Sequence, residues 1–418
     1  MRRYTTRRSI ALAVGLAAVV AAGAVASSGQ GKPARKAAQR TTVTLTGWSL
    51  AGSRTEQNAL LRTIAAFERS HKTIDVRYAP VAGDYDAAML ARFAARRPPD
   101  VFYVDSPDVP DYAPALQPLN SMIRRTKFNT KPFFKRLLNG FTVRGQILGI
   151  PKDWSPLGLV ANTRMLARAN VKAPKTWPQL TRALQRLRSR NAVPGGAPAC
   201  LSLDWARLLA FIYENRGAWF NPAKTRSVIN SRQNRQTLTT YLGWLRSGLA
   251  RTPAQLGVSW CGEALGKEKA AIIFEGNWVV SFMQTTYPNV RFRVFPMVRN
   301  KARGNLAFTV SYSIGRNSRN KAAAWTLLSY LVGRQGMTVW TRNSGFLPSR
   351  RDVKPPAGRA NFLREAAVAR PWSFVRGFDR LYDYAGKELE KAAEGDQTVA
   401  ETLRNIDRQT KETLSRGR

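Results

Sequence analysis

Residues 98–106 read "PPDVFYVDS": two prolines, an unbroken apolar run, and an aspartate where the run stops. A short apolar run bounded by breakers is a buried strand, here Val101–Asp105. The prolines close a helical pattern, "DYDAAMLARFAARR" (84–97), with Met89 and Phe93 on its inner face. Upstream of that helix, "TIDVRYAP" (73–80) alternates as a strand. Before it, 56–69 places Leu60, Ile64 and Phe67 at helical spacing, and "TVTLTGWSL" (42–50) is a strand ending at Trp48. This β-α-β-α-β order predicts an α/β protein with a mostly parallel sheet and helices on both faces.

Further along, the sequence predicts two strands flanking a loop at 151–156, then a helix capped by Thr176 with Pro178 in its first turn. Helices follow at 204–216 and 232–246. A buried strand at 270–274 turns into a helix at 277–287, with Asn277 as the N-cap and Val280 and Met283 facing inward. "NVRFRVFPM" and "LAFTVSYSIG" are strands, and "NKAAAWTLLSYLVG" is a helix. The C-terminal helix carries Val399, Leu403 and Ile406 on one face. Trp177, Trp244, Trp325 and Trp340 fall at helical spacing and read as core.

At 418 residues the chain exceeds the size at which single cores divide, so two domains are expected. Residues 1–26 have the pattern of an export signal: Arg2, Arg3, Arg7 and Arg8, an apolar middle, and a small-residue cleavage site at Ala24-Val25-Ala26. Twin-arginine and general secretory export both fit. A basic spacer, 27–41, follows. No cysteine lies near the cleavage site, so no lipobox anchor is expected. The two cysteines, Cys200 and Cys261, predict a disulfide in an oxidising compartment. With one histidine, His71, and no Cys-x-x-Cys spacing, neither a metal site nor histidine-based catalysis is expected, and no cofactor. The formal charge is +41, or +37 without the four arginines of the signal. The basic residues are scattered, without a nucleic-acid-binding signature, so two readings of that charge stand side by side: an anionic membrane or cell-wall surface as partner, or an adaptation of the whole proteome with no partner.

Several phrases, in order, resemble the extracellular solute-binding proteins of carbohydrate ABC importers (family 1, maltose-binding-protein-like). "LVANTRMLARANVKAPKTWPQL" resembles that family's strand, Asn, helix and P-x-T-W signature. "GKEKAAIIFEGNW" resembles its apolar G-x-W block, and "YSIGRNSRNKAAAWTLLSYLVGRQG" its AAW helix entry. "NSGFLPSRRDV" looks like its G-(Y/F)-x-P loop, "PPDVFYVDS" matches its PDV strand, and "EGDQTVAETL" its tail. The resemblance implies a two-lobed periplasmic-binding-protein-like fold with discontinuous lobes and a hinge of crossing strands. One lobe would combine 42–150 with 312–342, the other 151–311 with 343–418, with crossings near 149–152, 311–313 and 343–346. It further implies a monomer that binds a mono- or oligosaccharide in the cleft without altering it and delivers it to permease subunits outside the cytoplasm.

Sugars present apolar C–H faces to aromatic rings and hydroxyls to carboxylates and amides. Open α/β sheets bind ligands beyond the carboxyl ends of their strands. The expected ligand-binding residues are therefore Trp48, Asp105, Asp153, Trp154, Trp219, Glu275, Gly276, Asn277, Trp278, Tyr312 and Arg350, with Asp84 and Tyr85 as further candidates. In "FEGNW" (274–278), Trp278 would stack on a ring, Glu275 accept from hydroxyls, and Gly276 permit close approach. Core packing, for the rings, and capping or ion pairing, for Asp105 and Asp153, are the competing roles. The alternative function is a secreted glycoside hydrolase with Asp153 and Glu275 as its carboxylate pair.

Overall fold

The computed structural model describes residues 40–49, 54–372 and 375–416. The expected signal, 1–26, and all but the end of the spacer lie outside the described residues.

Val101–Asp105 is a strand, buried except at its last residue, as its apolar run requires. Thr41–Thr46 runs parallel to it and to Ile74–Tyr78, giving the parallel sheet that the first hundred residues predict. The neighbour on the other side of Val101–Asp105 comes from far along the chain. Asn305–Ile314 lies antiparallel to it, Ile314 opposite Val101 and Val310 opposite Asp105. Asn305–Ile314 also pairs, antiparallel, with the thirteen-residue strand Ile150–Asn162. The far end of Ile150–Asn162 pairs with Ala270–Gly276, which lies parallel to Ala197–Cys200. The sheet is thus parallel towards both ends and antiparallel in the middle.

The two ends serve two cores. Val43, Leu60, Phe67, Val101, Trp325 and Trp340 pack together in one. Leu157, Trp177, Trp205, Trp244, Phe274 and Ile406 pack together in the other. The four tryptophans read as core from their spacing are all buried. The architecture is a two-lobed α/β fold, and the strands Ile150–Asn162 and Asn305–Ile314 belong to the sheet of both lobes.

The loop expected at 151–156 is instead the first half of Ile150–Asn162. Prolines disfavour a strand interior because they cannot donate to the ladder, and they are tolerated where it is irregular. Here the pairing steps from Asp153 opposite Val310 to Pro151 opposite Ser311, leaving Lys152 as the extra residue of a bulge. The Lys152 side chain is buried. Its ammonium sits 2.5 Å from Asp153 Oδ2 and 3.8 Å from Glu56 Oε1, and 4.1 Å from the centre of the Trp340 ring.

Candidate ligand-binding cleft

Trp48 follows the strand Thr41–Thr46 and is half-buried, bridging to Val81. Its indole meets Tyr85 and Tyr103 edge-on, with ring centres 5.7 and 5.0 Å away. Tyr85 and Asp86 open the helix Tyr85–Ala94, which begins there because the Asp84 carboxylate accepts a bond from the Ala87 N–H. Tyr85 Oη donates to the Tyr103 carbonyl at 2.8 Å, and Tyr112 Oη donates to Asp86 Oδ1 at 2.7 Å. Asp105 closes its strand, with Pro107 and Asp108 just beyond. Across from these stand Ala206 of the helix Trp205–Glu214, Phe308 of the shared strand Asn305–Ile314, and Trp372. Phe378, Asp379 and Tyr382 of the helix Phe378–Glu394 complete that wall. Together these residues enclose a cavity of about 360 Å³. It has the size of a small-molecule site and lies at the carboxyl ends of the strands at 41–46 and 101–105.

Six aromatic rings and four carboxylates line this space, and no lysine or arginine does. The Ser106 N–H donates to Asp105 Oδ1 at 2.7 Å. Asp108 is 7% exposed, and among the described residues its carboxylate accepts no hydrogen bond and joins no ion pair. Burial, with repulsion from neighbouring aspartates, pushes both Asp105 and Asp108 well above the ordinary carboxylate range, and Asp379 up to about 6.

A carboxyl whose folded pKa is raised binds more protons folded than unfolded between the two pKa values. Stability therefore falls as pH rises through that window. The contribution of these three carboxyls to the stability of the ligand-free protein is expected to fall from the ordinary aspartate range, near 4, to the alkaline side of neutrality. Asp108→Asn, which removes a buried charge and no hydrogen bond, is expected to add on the order of 1–3 kcal/mol at pH 8 and much less at pH 5. Thermal melts of both proteins across pH check this; an equal effect at the two pH values would assign the gain to something other than charge.

The "FEGNW" corner is built differently from the sequence expectation. Glu275 is fully buried, and Arg207 grips it with two bonds, Nε to Oε1 at 3.1 Å and Nη2 to Oε2 at 2.8 Å. Trp278 Nε1 donates to the same Oε2 at 3.1 Å. Both oxygens are thus held by protein, and Glu275 positions its neighbours instead of facing the cavity. Gly276 does permit a close approach, but the approaching group is the Trp278 ring: a Cβ on Gly276 would lie 2.3 Å from its atoms. The half-buried Trp278 ring stands edge-on to Phe308, 5.4 Å between centres, and so backs the aromatic wall of the cavity. Asn277 precedes the helix Trp278–Thr286 without capping it, and both polar atoms of its side chain are buried without a partner.

Other expected residues lie elsewhere. Asp153 is engaged by Lys152 and by Trp340 Nε1. Trp154 is buried, its Nε1 donating to the Pro348 carbonyl. Trp219 is in the core, its Nε1 on Thr410 Oγ1 and its ring against Trp205 and Phe378. Tyr312 is buried against Tyr103. Arg350 pairs with Asp352 over the Phe133 ring. Of the expected residues, Trp48 and Asp105, together with the further candidate Tyr85, line the cavity. Phe308, Trp372 and Tyr382 were missed: Phe308 sits inside a strand pattern, and Trp372 carries no periodicity that would separate it from core.

Residues 51–338 match the family described as bacterial extracellular solute-binding protein. A binding protein of Brucella abortus is 22% identical over 226 residues, which are 52% of this chain and 54% of that protein. The chain thus spans about half the length of the curated relatives it matches. An ABC substrate-binding protein of Listeria monocytogenes, solved in complex with cycloalternan, superposes with a TM-score of 0.81 at 22% identity. That alignment covers 90% of this chain and all of that one. The sugar-binding protein MalE of Xanthomonas citri superposes at 0.77 with 21% identity, covering 90% of this chain and 98% of that one.

Proposed function

This chain belongs to the bacterial extracellular solute-binding proteins, and from that premise we propose that it is the extracytoplasmic binding component of an ABC importer, holding a mono- or oligosaccharide between its lobes and passing it to membrane permeases. The observation that carries this reading is the cavity itself, whose walls come from both ends of the shared sheet and alternate aromatic rings with carboxylates. Trp48 on one side and Phe308 and Trp372 on the other would pack against the C–H faces of a sugar, while the aspartates accept from its hydroxyls. Contacts made by both lobes at once favour the closed arrangement, so ligand draws the population towards closure. The Listeria neighbour's carbohydrate ligand supports the same class of solute. The hydrolase alternative loses its pair, because Asp153 and Glu275 are both buried and bound to other side chains away from the cavity.

Trp48→Ala is expected to weaken carbohydrate binding by at least about 2 kcal/mol, roughly thirtyfold, as truncating a central aromatic anchor does. Calorimetric titration with the best binder from a sugar panel measures it. The far-ultraviolet circular dichroism should be unchanged, because a half-buried ring at a strand end is not a core residue. If no sugar of a broad panel raises the melting temperature of the wild-type protein, the carbohydrate reading falls.

A further inference from the structure

The chain carries 67 lysines and arginines against 26 acids, yet the cavity holds Asp86, Asp105, Asp108 and Asp379 and no basic side chain. Buried carboxylates are normally paired, because an uncompensated charge away from water is costly. Elsewhere Glu275 is paired with Arg207, Asp153 with Lys152, and Glu365 with Arg303 and Asn305, while fully buried Glu214 holds Trp177 Nε1 on one oxygen and leaves the other without a partner. What sets the cavity apart is that four carboxylates line one space with no basic side chain among them. Asp108, more than nine-tenths buried, faces it with neither a hydrogen bond nor an ion pair among the described residues. Asp379, exposed at the start of the helix Phe378–Glu394 on the opposite wall, is open to solvent and has no hydrogen-bond or ion-pair partner among the described residues.

A metal ion does not answer this arrangement. Among the described residues, no group of three or more histidine, cysteine, aspartate or glutamate side chains is disposed to hold one. The carboxylates are instead spread over both walls and interleaved with aromatic faces, which attract cations as well as sugar C–H groups. Such a surface matches an extended solute carrying one or more ammonium groups.

Resting on the carbohydrate reading of this cavity, we propose that the solute is a cationic, amino-substituted saccharide, its ammonium groups held by Asp108 and Asp379 and its ring faces by Trp48, Phe308 and Trp372. The positive exterior does not prevent entry. At physiological ionic strength the Debye length is about 8 Å, so the scattered surface charges are screened, whereas carboxylates in contact with the solute are not.

The test is calorimetric titration of the whole protein with matched probes: β-linked glucosamine trimer against its N-acetylated counterpart, and α-linked kanamycin against maltotriose. At least one amine-bearing probe is expected to bind tenfold or more tighter than its neutral counterpart. Asp108→Asn is expected to cut that preference at least fivefold. Asp379→Asn, at an exposed helix start where folding is not at stake, should cut it as well. If the neutral member of each pair binds as tightly as the charged one, the cationic solute is ruled out and the carbohydrate reading stands. If neither class binds, both fall together.

Discussion

Arg207→Ala is expected to destabilise the folded protein by about 3–5 kcal/mol at pH 7, the loss typical of stripping one partner from a buried ion pair. Glu275 is completely buried, and without the guanidinium its carboxylate keeps only the Trp278 indole N–H. The size of the effect should depend on pH in a definite direction. Burial already holds the Glu275 carboxyl above its usual range, with Arg207 opposing the shift. Removing Arg207 removes the opposing charge, so the folded-state pKa rises further. Between the unfolded and folded values the folded chain then binds the extra proton, and its deficit shrinks as pH falls towards the ordinary glutamate range. Urea denaturation of wild type and variant at pH 5 and pH 8 measures this. The double variant Arg207→Ala, Glu275→Gln should recover part of the loss, because the stranded charge is gone. A deficit below about 1 kcal/mol, the same at both pH values, would mean that the pair is not ionised as drawn. Trp278 leans on the same carboxylate and on Phe308, so the single variant should also loosen the aromatic wall and weaken ligand binding.

The second large effect is expected from the disulfide. Cys200 ends the strand Ala197–Cys200 and Cys261 begins the helix Cys261–Gly266, and the two are bonded across a separation of 61 residues. Cross-linking an interval of that length removes unfolded-state entropy worth roughly 4 kcal/mol on the chain-entropy account. Cys200→Ala together with Cys261→Ala should lose about that much in denaturant titration, and reductant should then have no further effect on the variant. Both sulfurs are buried, so reduction of the native protein should be slow unless it is partly unfolded. Thiol titration of the denatured, unreduced protein should find no free groups. Two free groups would remove this contribution altogether.

Most of the architecture was legible because it rests on local pattern. The run Val101–Asp105, the cap Thr176, and the helix Arg232–Arg246 are signalled within a few residues of themselves. The misread segment, 151–156, is a strand only because Asn305–Ile314 lies beside it. Two prolines and a lysine give no local reason for a strand there, and the tertiary partner overrides them. The site was harder for the same cause. A tryptophan just past the end of an element can face a cavity, as Trp48 does after a strand, or a core, as Trp219 does after the helix Trp205–Glu214. An acid beside an aromatic ring looks the same in sequence whether it waits for a ligand or for an arginine 68 positions away, as Glu275 does. What the sequence lacked was the opposite wall. Phe308, Trp372 and Tyr382 matter because the fold brings them across from Trp48 and Asp105.

The sheet register carries a consequence for how the chain must be made. Val101–Asp105 is complete early in synthesis, but the strand that covers its open edge, Asn305–Ile314, is among the later parts of the chain to emerge. At ribosomal rates of about 5–20 residues per second, the gap between the two is on the order of ten to forty seconds. Throughout that interval the nascent first half displays an unpaired, apolar strand edge, a template for aggregation. The edge closes only once the strand near residue 310 has emerged, so the position of that one strand sets how long the exposure lasts.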